Sequence, residues 1–270
     1  MSRITQLHDE ACHSGNATYL DPETGASVFT REALLARGRC CGSGCRHCPF
    51  AHEAVKPSER AGRIRQPAWM TDQRPGDVER AVLLFWSGGK DSYLAYRALC
   101  QQGFEVILLT TFDSDMRTIA HQEIGISVVV RQAAALGVSL IGVPLAPACS
   151  YEERITTALA LVPGLRSVAF GDLHLENIRR WREELFAALD PSLTLHFPLW
   201  HVPYEELLDD LEASGAGCRI TAVTDDRLVL DLGKAFDRQF AGRLPDGIDT
   251  FGENGEFHTE VVLEGKASRG

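Results

Sequence analysis

Long apolar runs are missing from this chain of 270 residues, although 44% of its residues are hydrophobic. The longest apolar stretches, such as Val106–Thr111 and Val138–Val143, are far shorter than the roughly 20 residues that span a bilayer. No apolar segment follows Arg3, so a secretory signal is not expected. These absences predict a soluble, cytoplasmic protein with no membrane partner. The ordinary apolar fraction excludes wholesale disorder.

Positive charge is also scarce, because 27 Lys and Arg stand against 37 Asp and Glu, a net charge of −10. The deficit falls on residues 76–270, since residues 1–75 hold 10 basic and 8 acidic side chains. An acidic body argues against a large surface for nucleic acid. The basic stretch Arg31–Arg74 is a local exception.

Cysteine is unevenly distributed, with five of the eight in the first 48 residues. Without a signal peptide, these cysteines are more consistent with metal ligands or reduced thiols than with disulfides. Cys100, Cys149 and Cys218 lie in apolar stretches and are predicted to belong to the core.

From residue 80 onward, short apolar runs alternate with helical patterns. The predicted strands are Ala81–Phe85, Glu105–Thr111, Val138–Val143 and Leu165–Phe170. The predicted helices are Asp91–Gln102, His121–Leu136, a helix capped by Ser150 that runs to about Val162, and Glu176–Leu189. This alternation predicts an α/β fold with a doubly wound parallel sheet, whose ligand lies beyond the carboxyl ends of the strands.

The flanking regions have a different organisation. In the first part of the chain we predict a hairpin at Thr18–Thr30 and a helix at Arg31–Arg37. The cysteine cluster follows, and then a predicted linker at Lys56–Gly76. In the last part of the chain we predict a helix at Tyr204–Glu212 and strands at Leu193–Phe197, Arg219–Val223, Leu228–Asp231 and Phe257–Leu263. We therefore predict a Cys-rich module and linker over 1–75, a nucleotide-binding domain over 76–190 and a small α+β domain over 191–270.

The most informative motif is SGGKDS (Ser87–Ser92), which lies between the first strand and the first helix of this pattern. Gly88 and Gly89 allow a tight turn with consecutive exposed N–H groups, and the helix that follows adds its positive dipole end. Lys90 supplies a charge and Asp91 an oxygen for Mg²⁺. A Walker A loop is excluded, because Ser or Thr would have to follow the lysine. The pattern predicts a phosphate-binding loop.

Polar residues also follow the other strands. Thr111 and His121 come after the second strand, and Gly171 and Asp172 come after the fourth. All four would face the crevice at the carboxyl edge of the sheet. A purely structural histidine remains an alternative for His121.

A second polar motif, GENGEFHT, occupies Gly252–Thr259. The side chains of Glu253, Asn254, Glu256 and His258 could bind Mg²⁺, orient ammonia or take a proton from ammonium. The alternative is a glycine-containing hairpin turn with solvated glutamates.

Both motifs point to one family. SGGKDS resembles the pyrophosphate loop of the N-type ATP pyrophosphatases, and GENGEFHT resembles the GENGE[YF]HT signature of the diphthine–ammonia ligase family. Further matches are Gly171-Asp172, Arg180-Trp181, Pro198-Leu199-Trp200, Leu232-Gly233-Lys234 and Asp237. The resemblance covers about residues 80–265. It implies an adenine nucleotide alpha hydrolase-like fold, an ATP and Mg²⁺ requirement, adenylation of a carboxylate and its amidation by ammonia.

The resemblance also implies roles for individual residues. The implied ATP-binding residues are Ser87, Gly88, Gly89, Lys90, Asp91, Ser92, Thr111 and Gly171. The implied catalytic residues are Lys90, Asp91, Glu253, Glu256 and His258. The implied substrate-binding residues are His121, Asp172, Asn254, Phe257 and Thr259. Two kinds of acceptor substrate are compatible with the resemblance. One is the modified histidine of an elongation factor after which the family is named, and the other is a corrinoid or another small acid.

The cysteine cluster reads CCGSGCRHC over residues 40–48 and resembles CCGxGCxxCP modules of small uncharacterised and oxidoreductase-like proteins. The spacing of Cys45 and Cys48 lets two thiolates chelate one ion, and Cys40 or Cys41 could complete a Zn²⁺ site. An iron–sulfur cluster and free thiols are the alternatives.

Two other functions fit parts of the sequence. One is a pyrophosphate-loop enzyme that thiolates or aminates an RNA base, with Arg31–Arg74 as its RNA contact. The other is a non-catalytic ATP-sensing protein. A homo-oligomer is compatible with each of them.

Overall fold

The computed structural model describes residues 3–22, 24–146 and 149–263. The strands are β1 Thr18–Leu20, β2 Ser27–Phe29, β3 Ala68–Trp69, β4 Ala81–Phe85, β5 Glu105–Asp113, β6 Thr118–Ile119, β7 Ile124–Gly125, β8 Ser139–Leu145, β9 Ser167–Ala169, β10 Thr194–His196, β11 Gly217–Val223 and β12 Phe257–Val262. The helices are α1 Arg3–His13, α2 Arg31–Leu35, α3 Pro57–Arg63, α4 Lys90–Gln101, α5 Ile126–Leu136, α6 Tyr151–Leu159, α7 Glu176–Leu189, α8 Tyr204–Ser214 and α9 Arg238–Ala241. The ends of the first and last predicted domains, residues 1–2 and 264–270, lie outside the described residues.

The centre of the protein is a six-stranded sheet in the order β10-β9-β4-β5-β8-β3. All neighbours in it are parallel except β3, which pairs antiparallel with β8. This confirms the predicted α/β class with a mostly parallel sheet. β4 lies between β5 and β9, so the chain winds outward from β4 in both directions. A ligand crevice forms beyond the carboxyl end of a strand at such a switch point.

The central strands are buried on both faces, as their continuous apolar runs indicate. Val82, Leu83 and Leu84 of β4 are fully buried. Local signals set the helix ends: the Ser150 hydroxyl accepts from the Glu153 N–H at the start of α6, which confirms the predicted cap. The four predicted helices of this region are present.

Two of the secondary-structure predictions are wrong. The helix predicted from His121 begins only at Ile126, because residues 118–125 form the small β6–β7 hairpin. The strand predicted at Leu228–Asp231 is part of a 3₁₀ helix over Asp226–Asp231. There the Asp225 carboxylate accepts from the Arg227 N–H and closes a turn instead of leaving the backbone extended.

The predicted linker at Lys56–Gly76 is a packed part of the fold. Pro57 begins α3, and β3 pairs with the edge of the central sheet. Arg60 is buried and donates to the carbonyl oxygens of Val55 and Trp69. Ile64 is completely buried as well. Arg60, one of the charged residues that suggested a linker, therefore stabilises this segment. It donates hydrogen bonds to backbone carbonyl groups of the irregular chain.

The amino-terminal segment contains the predicted hairpin, formed by β1 and β2, and the short helix α2. Of the three cysteines predicted to be in the core, Cys218 is buried, Cys149 is half-buried and Cys100 is exposed. The prediction fails at Cys100 because that residue lies on the outer side of α4. Within the described ranges, no helix is both long enough and apolar enough to cross a membrane.

Candidate active site

A cavity of about 400 Å³ opens at the carboxyl ends of β4, β5 and β9. Its size is within the range of small-molecule sites. The residues predicted from the sequence that line it are Ser87, Asp91, Ser92, Thr111, His121, Gly171, Asp172, Glu253 and His258. The structure thus brings together residues from the loop, the strand ends and the carboxyl-terminal motif.

Two positions in the loop between β4 and α4 leave no room for a side chain. Gly88 has a φ of 84°, and an added Cβ would lie 2.8 Å from Cδ1 of Ile124. At Gly89 an added Cβ would lie 2.9 Å from the carbonyl oxygen of Thr259. The backbone therefore turns within van der Waals contact of its neighbours and presents the start of α4 to the cavity.

Strand β12 holds this loop in place. The backbone N–H of Lys90 donates to Oγ1 of Thr259 at 3.1 Å, and the N–H of Val261 donates to the Gly88 carbonyl at 2.9 Å. The Thr259 side chain is buried. The carboxyl-terminal motif is therefore a structural support of the phosphate loop, and the predicted role of Thr259 in substrate binding stays a prediction.

The buried amide of Gln132 on α5 links the same elements. Its Nε2 donates to the carbonyl oxygens of Gly88 at 3.0 Å and Val261 at 2.7 Å, and its Oε1 accepts from Trp86 Nε1 at 2.9 Å. Sequence reasoning missed this residue. The helix ISVVVRQAAAL also contains a serine and an arginine, so nothing local distinguished this glutamine.

The Lys90 side chain is only 2% exposed and lies among aromatic rings. Its Nζ is 5.2–5.4 Å from the ring centroids of Phe236, Phe251 and Phe257, within the range of cation–π attraction. Nζ also donates to Asp91 Oδ2 at 3.0 Å. Phe257 supports this lysine, and its predicted role in substrate binding stays a prediction. Phe236 and Phe251 were not found from the sequence, because only the fold brings them to Lys90.

Asp91 and Glu253 are two of the three carboxyl groups that line the cavity. Burial raises the pKa of Asp91 despite its contact with Lys90. Burial, and then the charge of Asp91, raises the pKa of Glu253 to about 7. Oδ1 of Asp91 is buried and has no hydrogen-bond partner among the described residues. A buried oxygen of this kind fits a hard cation such as Mg²⁺, which would also relieve the repulsion between the two carboxylates.

Two imidazoles also line the cavity. The rings of His121 and His258 have centroids 5.8 Å apart. Burial, followed by the charges of His121 and Lys90, lowers the pKa of His258 to about 4, so this ring is neutral at pH 7. His121 reaches the cavity from the β6–β7 turn, where its φ of 65° is left-handed. The sequence identified both residues, although it placed His121 on a helix.

The residues after β9 contact the start of α4. An added Cβ at Gly171 would lie 2.9 Å from the Asp91 carbonyl oxygen and 3.1 Å from the Ser92 nitrogen. Asp172 accepts two hydrogen bonds from Arg182, from Nε at 2.5 Å and from Nη2 at 2.9 Å. Because Asp172 is already paired with Arg182, its first role in this structure is to hold that arginine beside the cavity.

Asn254 and Glu256 do not line the cavity. Asn254 is exposed, and its Nδ2 donates to Glu256 Oε1 at 3.1 Å. The same Glu256 oxygen accepts from the Asp249 N–H at 3.0 Å. Both side chains therefore stabilise the turn that carries Glu253, and their predicted roles in catalysis and substrate binding stay predictions.

The four clustered cysteines form two pairs. The Sγ atoms of Cys41 and Cys45 are 3.3 Å apart, and those of Cys40 and Cys48 are 3.8 Å apart. Hydrogen bonding from Ser43 lowers the pKa of Cys41 to about 7. Over the described ranges, none of these thiols belongs to a group of three donor atoms within 4.8 Å of one another. A site with one ion shared by all four stays a prediction.

Two segments of the chain match known protein families. Residues 80–189 match the diphthamide synthase N-terminal domain, and residues 7–54 match a family of unknown function, DUF5522. Among solved structures, the PH1313 protein of Pyrococcus horikoshii is 18% identical with a TM-score of 0.35. That match covers 50% of this chain but only 41% of the Pyrococcus chain.

A second solved structure is that of a predicted subunit of tRNA methyltransferase from Methanocaldococcus jannaschii. It is 16% identical with a TM-score of 0.38, and the match covers 68% of this chain and 96% of the other. The family match agrees with the loop, the sheet order and the cavity described above. The chain therefore carries a diphthamide synthase N-terminal domain, a pyrophosphate-loop domain of the adenine nucleotide alpha hydrolase type, behind an amino-terminal DUF5522 segment.

Proposed function

We propose that this protein is an ATP-dependent ligase that adenylates a carboxylate, releases pyrophosphate and then forms an amide with ammonia. The observation that carries the proposal is the contact between the phosphate loop and β12. This contact places Glu253 and His258, from the motif that resembles diphthine–ammonia ligases, in one cavity with Asp91 of the loop.

In the first step, the loop and the start of α4 bind the ATP phosphates. A carboxylate oxygen of the acceptor attacks the α-phosphorus, and the bond from that phosphorus to the oxygen bridging to the β-phosphate breaks. Lys90 and the helix amides stabilise the negative charge of the departing pyrophosphate. Asp91, whose buried Oδ1 has no partner among the described residues, would hold Mg²⁺, which neutralises phosphate charge when bound.

In the second step, ammonia attacks the acyl carbon and AMP leaves with the electrons of the carbon–oxygen bond. Ammonium must first lose a proton, because only the neutral amine is a nucleophile. Glu253, whose pKa is about 7, is suited to accept that proton near neutral pH, whereas His258, with a pKa of about 4, is too weak a base and would instead accept a hydrogen bond from the ammonia.

We also propose that the chain is divided as its sequence predicts. Residues 76–190 would bind ATP, residues 191–270 would bind the acceptor, and residues 1–75 would form the Cys-rich module. The aromatic contacts of Lys90 with Phe236 and Phe251 support a role for residues 191–270 at the reaction centre.

The two half-reactions can be measured separately. Exchange of labelled pyrophosphate into ATP, dependent on an added fraction of small acids, reports adenylation, and ammonium-dependent release of AMP reports the complete reaction. We expect both activities in the wild type. We expect Glu253→Gln to slow AMP release more than exchange, provided exchange remains measurable with Mg²⁺ at saturation. ADP as the product, or ATP binding without turnover in any fraction, would contradict the proposal, and AMP release that requires RNA would favour RNA modification.

A further inference from the structure

Three donor side chains of different chemistry meet in the amino-terminal segment. His8 and Cys12 lie one turn apart on α1, and Glu32 lies in the first turn of α2. One donor atom from each lies within 4.8 Å of the other two. This cluster is separate from the ATP cavity, and none of its members belongs to the CCGSGCRHC stretch.

The nitrogen–sulfur separation agrees with coordination of one ion. Cys12 Sγ is 3.5 Å from His8 Nε2. A tetrahedral zinc site with Zn–S near 2.3 Å and Zn–N near 2.0–2.1 Å holds these two ligands about 3.5 Å apart. The Glu32 carboxylate accepts a hydrogen bond from the Cys12 thiol, so an oxygen already lies beside the sulfur, and the two atoms would move apart when an ion replaces the thiol proton.

The His8 ring is already oriented for a metal. Its Nδ1 lies 3.0 Å from Asp9 Oδ1, and its Nε2 accepts the Arg31 N–H at 3.1 Å. The proton is therefore on Nδ1, and an ion would replace the Arg31 N–H as the partner of the Nε2 lone pair. A carboxylate on the second nitrogen is the usual support for a metal-binding histidine. The ring of His47 stacks on His8 with centroids 4.1 Å apart and fixes its plane.

We infer that His8, Cys12 and Glu32 bind one divalent ion of the zinc class and leave the fourth position to water. Nitrogen, sulfur and oxygen donors together suit Zn²⁺ better than Mg²⁺ or Ca²⁺. On binding, the S–H bond of Cys12 breaks, a sulfur–ion bond forms and the proton passes to solvent. The ion would connect α1 to α2 within the DUF5522 segment. This inference does not depend on the proposed ligase function.

The test uses the full chain, freed of metal by a chelator and titrated with Zn²⁺ and with Co²⁺. The test variants are Cys12→Ser on α1 and Glu32→Gln on α2. The control variants, Glu10→Gln and His13→Gln, both lie on α1. Cys45→Ser separates this ion from any ion at residues 40–48. We expect the wild type and Cys45→Ser to show a cobalt–thiolate absorption band that Cys12→Ser lacks wholly or in part.

We expect each test variant to bind one Zn²⁺ equivalent at least tenfold more weakly than the controls do. Asp9→Asn should keep the stoichiometry and weaken the affinity about 10- to 100-fold, as loss of a supporting carboxylate does. Equal Zn²⁺ stoichiometry and affinity in the wild type, Cys12→Ser and Glu32→Gln would overturn the inference. If Cys12→Ser fails to fold, Glu32→Gln decides, because the Glu32 side chain is exposed.

Discussion

Lys90 and Thr259 are 169 positions apart in the chain, yet the backbone N–H of the first donates to the side-chain oxygen of the second at 3.1 Å. This N–H belongs to the first turn of α4, where helix amides have no partner within the helix. Thr259 of β12 therefore caps the amino-terminal end of α4. The amides that remain can bind phosphate, and the position of the loop depends on β12.

Replacing Thr259 with valine should loosen the loop. The Thr259→Val variant leaves the buried N–H of Lys90 without an acceptor, which costs about 1–3 kcal/mol. Denaturant unfolding should show a loss of this size, and ATP should bind more weakly. Thr221→Val is the matched control on β11, because the buried Oγ1 of Thr221 has no partner among the described residues. Equal losses in both variants would contradict a capping role.

Lys90 is predicted to stabilise the leaving pyrophosphate from its aromatic surroundings. Lys90→Met keeps most of the side-chain volume among the phenylalanines but removes the charge. We expect AMP formation to fall at least 100-fold, about 2.7 kcal/mol of transition-state stabilisation, while circular dichroism shows the same fold. Lys56→Met, at an exposed position, should keep full activity. AMP formation at the wild-type rate in Lys90→Met would disprove the assignment of the loop.

The sequence was sufficient for the parts of the site that depend on local physics. The strand β4, the glycine turn and α4 follow one another directly, so periodicity and turn chemistry predict the anion site around Lys90. The capping of α6 by Ser150 was visible for the same reason. The polar motif GENGEFHT indicated Glu253 and His258 as candidates together with Asn254 and Glu256, but nothing local shows which of these side chains face the cavity.

The remaining features depend on contacts between distant parts of the chain. Gln132 is ordinary in its own helix, and only the arrival of Val261 and Gly88 makes its amide a link between three elements. Phe236 and Phe251 become part of the site only because the fold brings them to Lys90. Spacing along the chain does not carry such information.

The contact between Gly171 and α4 gives a third prediction. In Gly171→Ala, the new methyl group would lie 2.9 Å from the Asp91 carbonyl oxygen, and neither partner is a flexible side chain. We expect a lower free energy of unfolding and weaker ATP binding. Gly62→Ala on α3 has nothing within 4 Å of the new Cβ, so it should be neutral or stabilise the protein by about 0.5–1 kcal/mol. ATP affinity unchanged in Gly171→Ala would show that the loop can shift without cost.

The raised pKa of Glu253 predicts how stability depends on pH. Burial lifts it from an ordinary 4.5 to about 7, so between these values the folded protein keeps a proton that the unfolded chain has lost. Its contribution to stability is complete below pH 4.5 and disappears as the pH rises through 7. Glu253→Gln lacks this loss, whereas His258, with a pKa lowered to about 4, affects both proteins alike. Urea unfolding at pH 5, 6.5 and 8 should therefore show the glutamine variant gaining on the wild type at each step. A constant difference across this range would mean that Glu253 is already ionised at pH 5 in the folded protein.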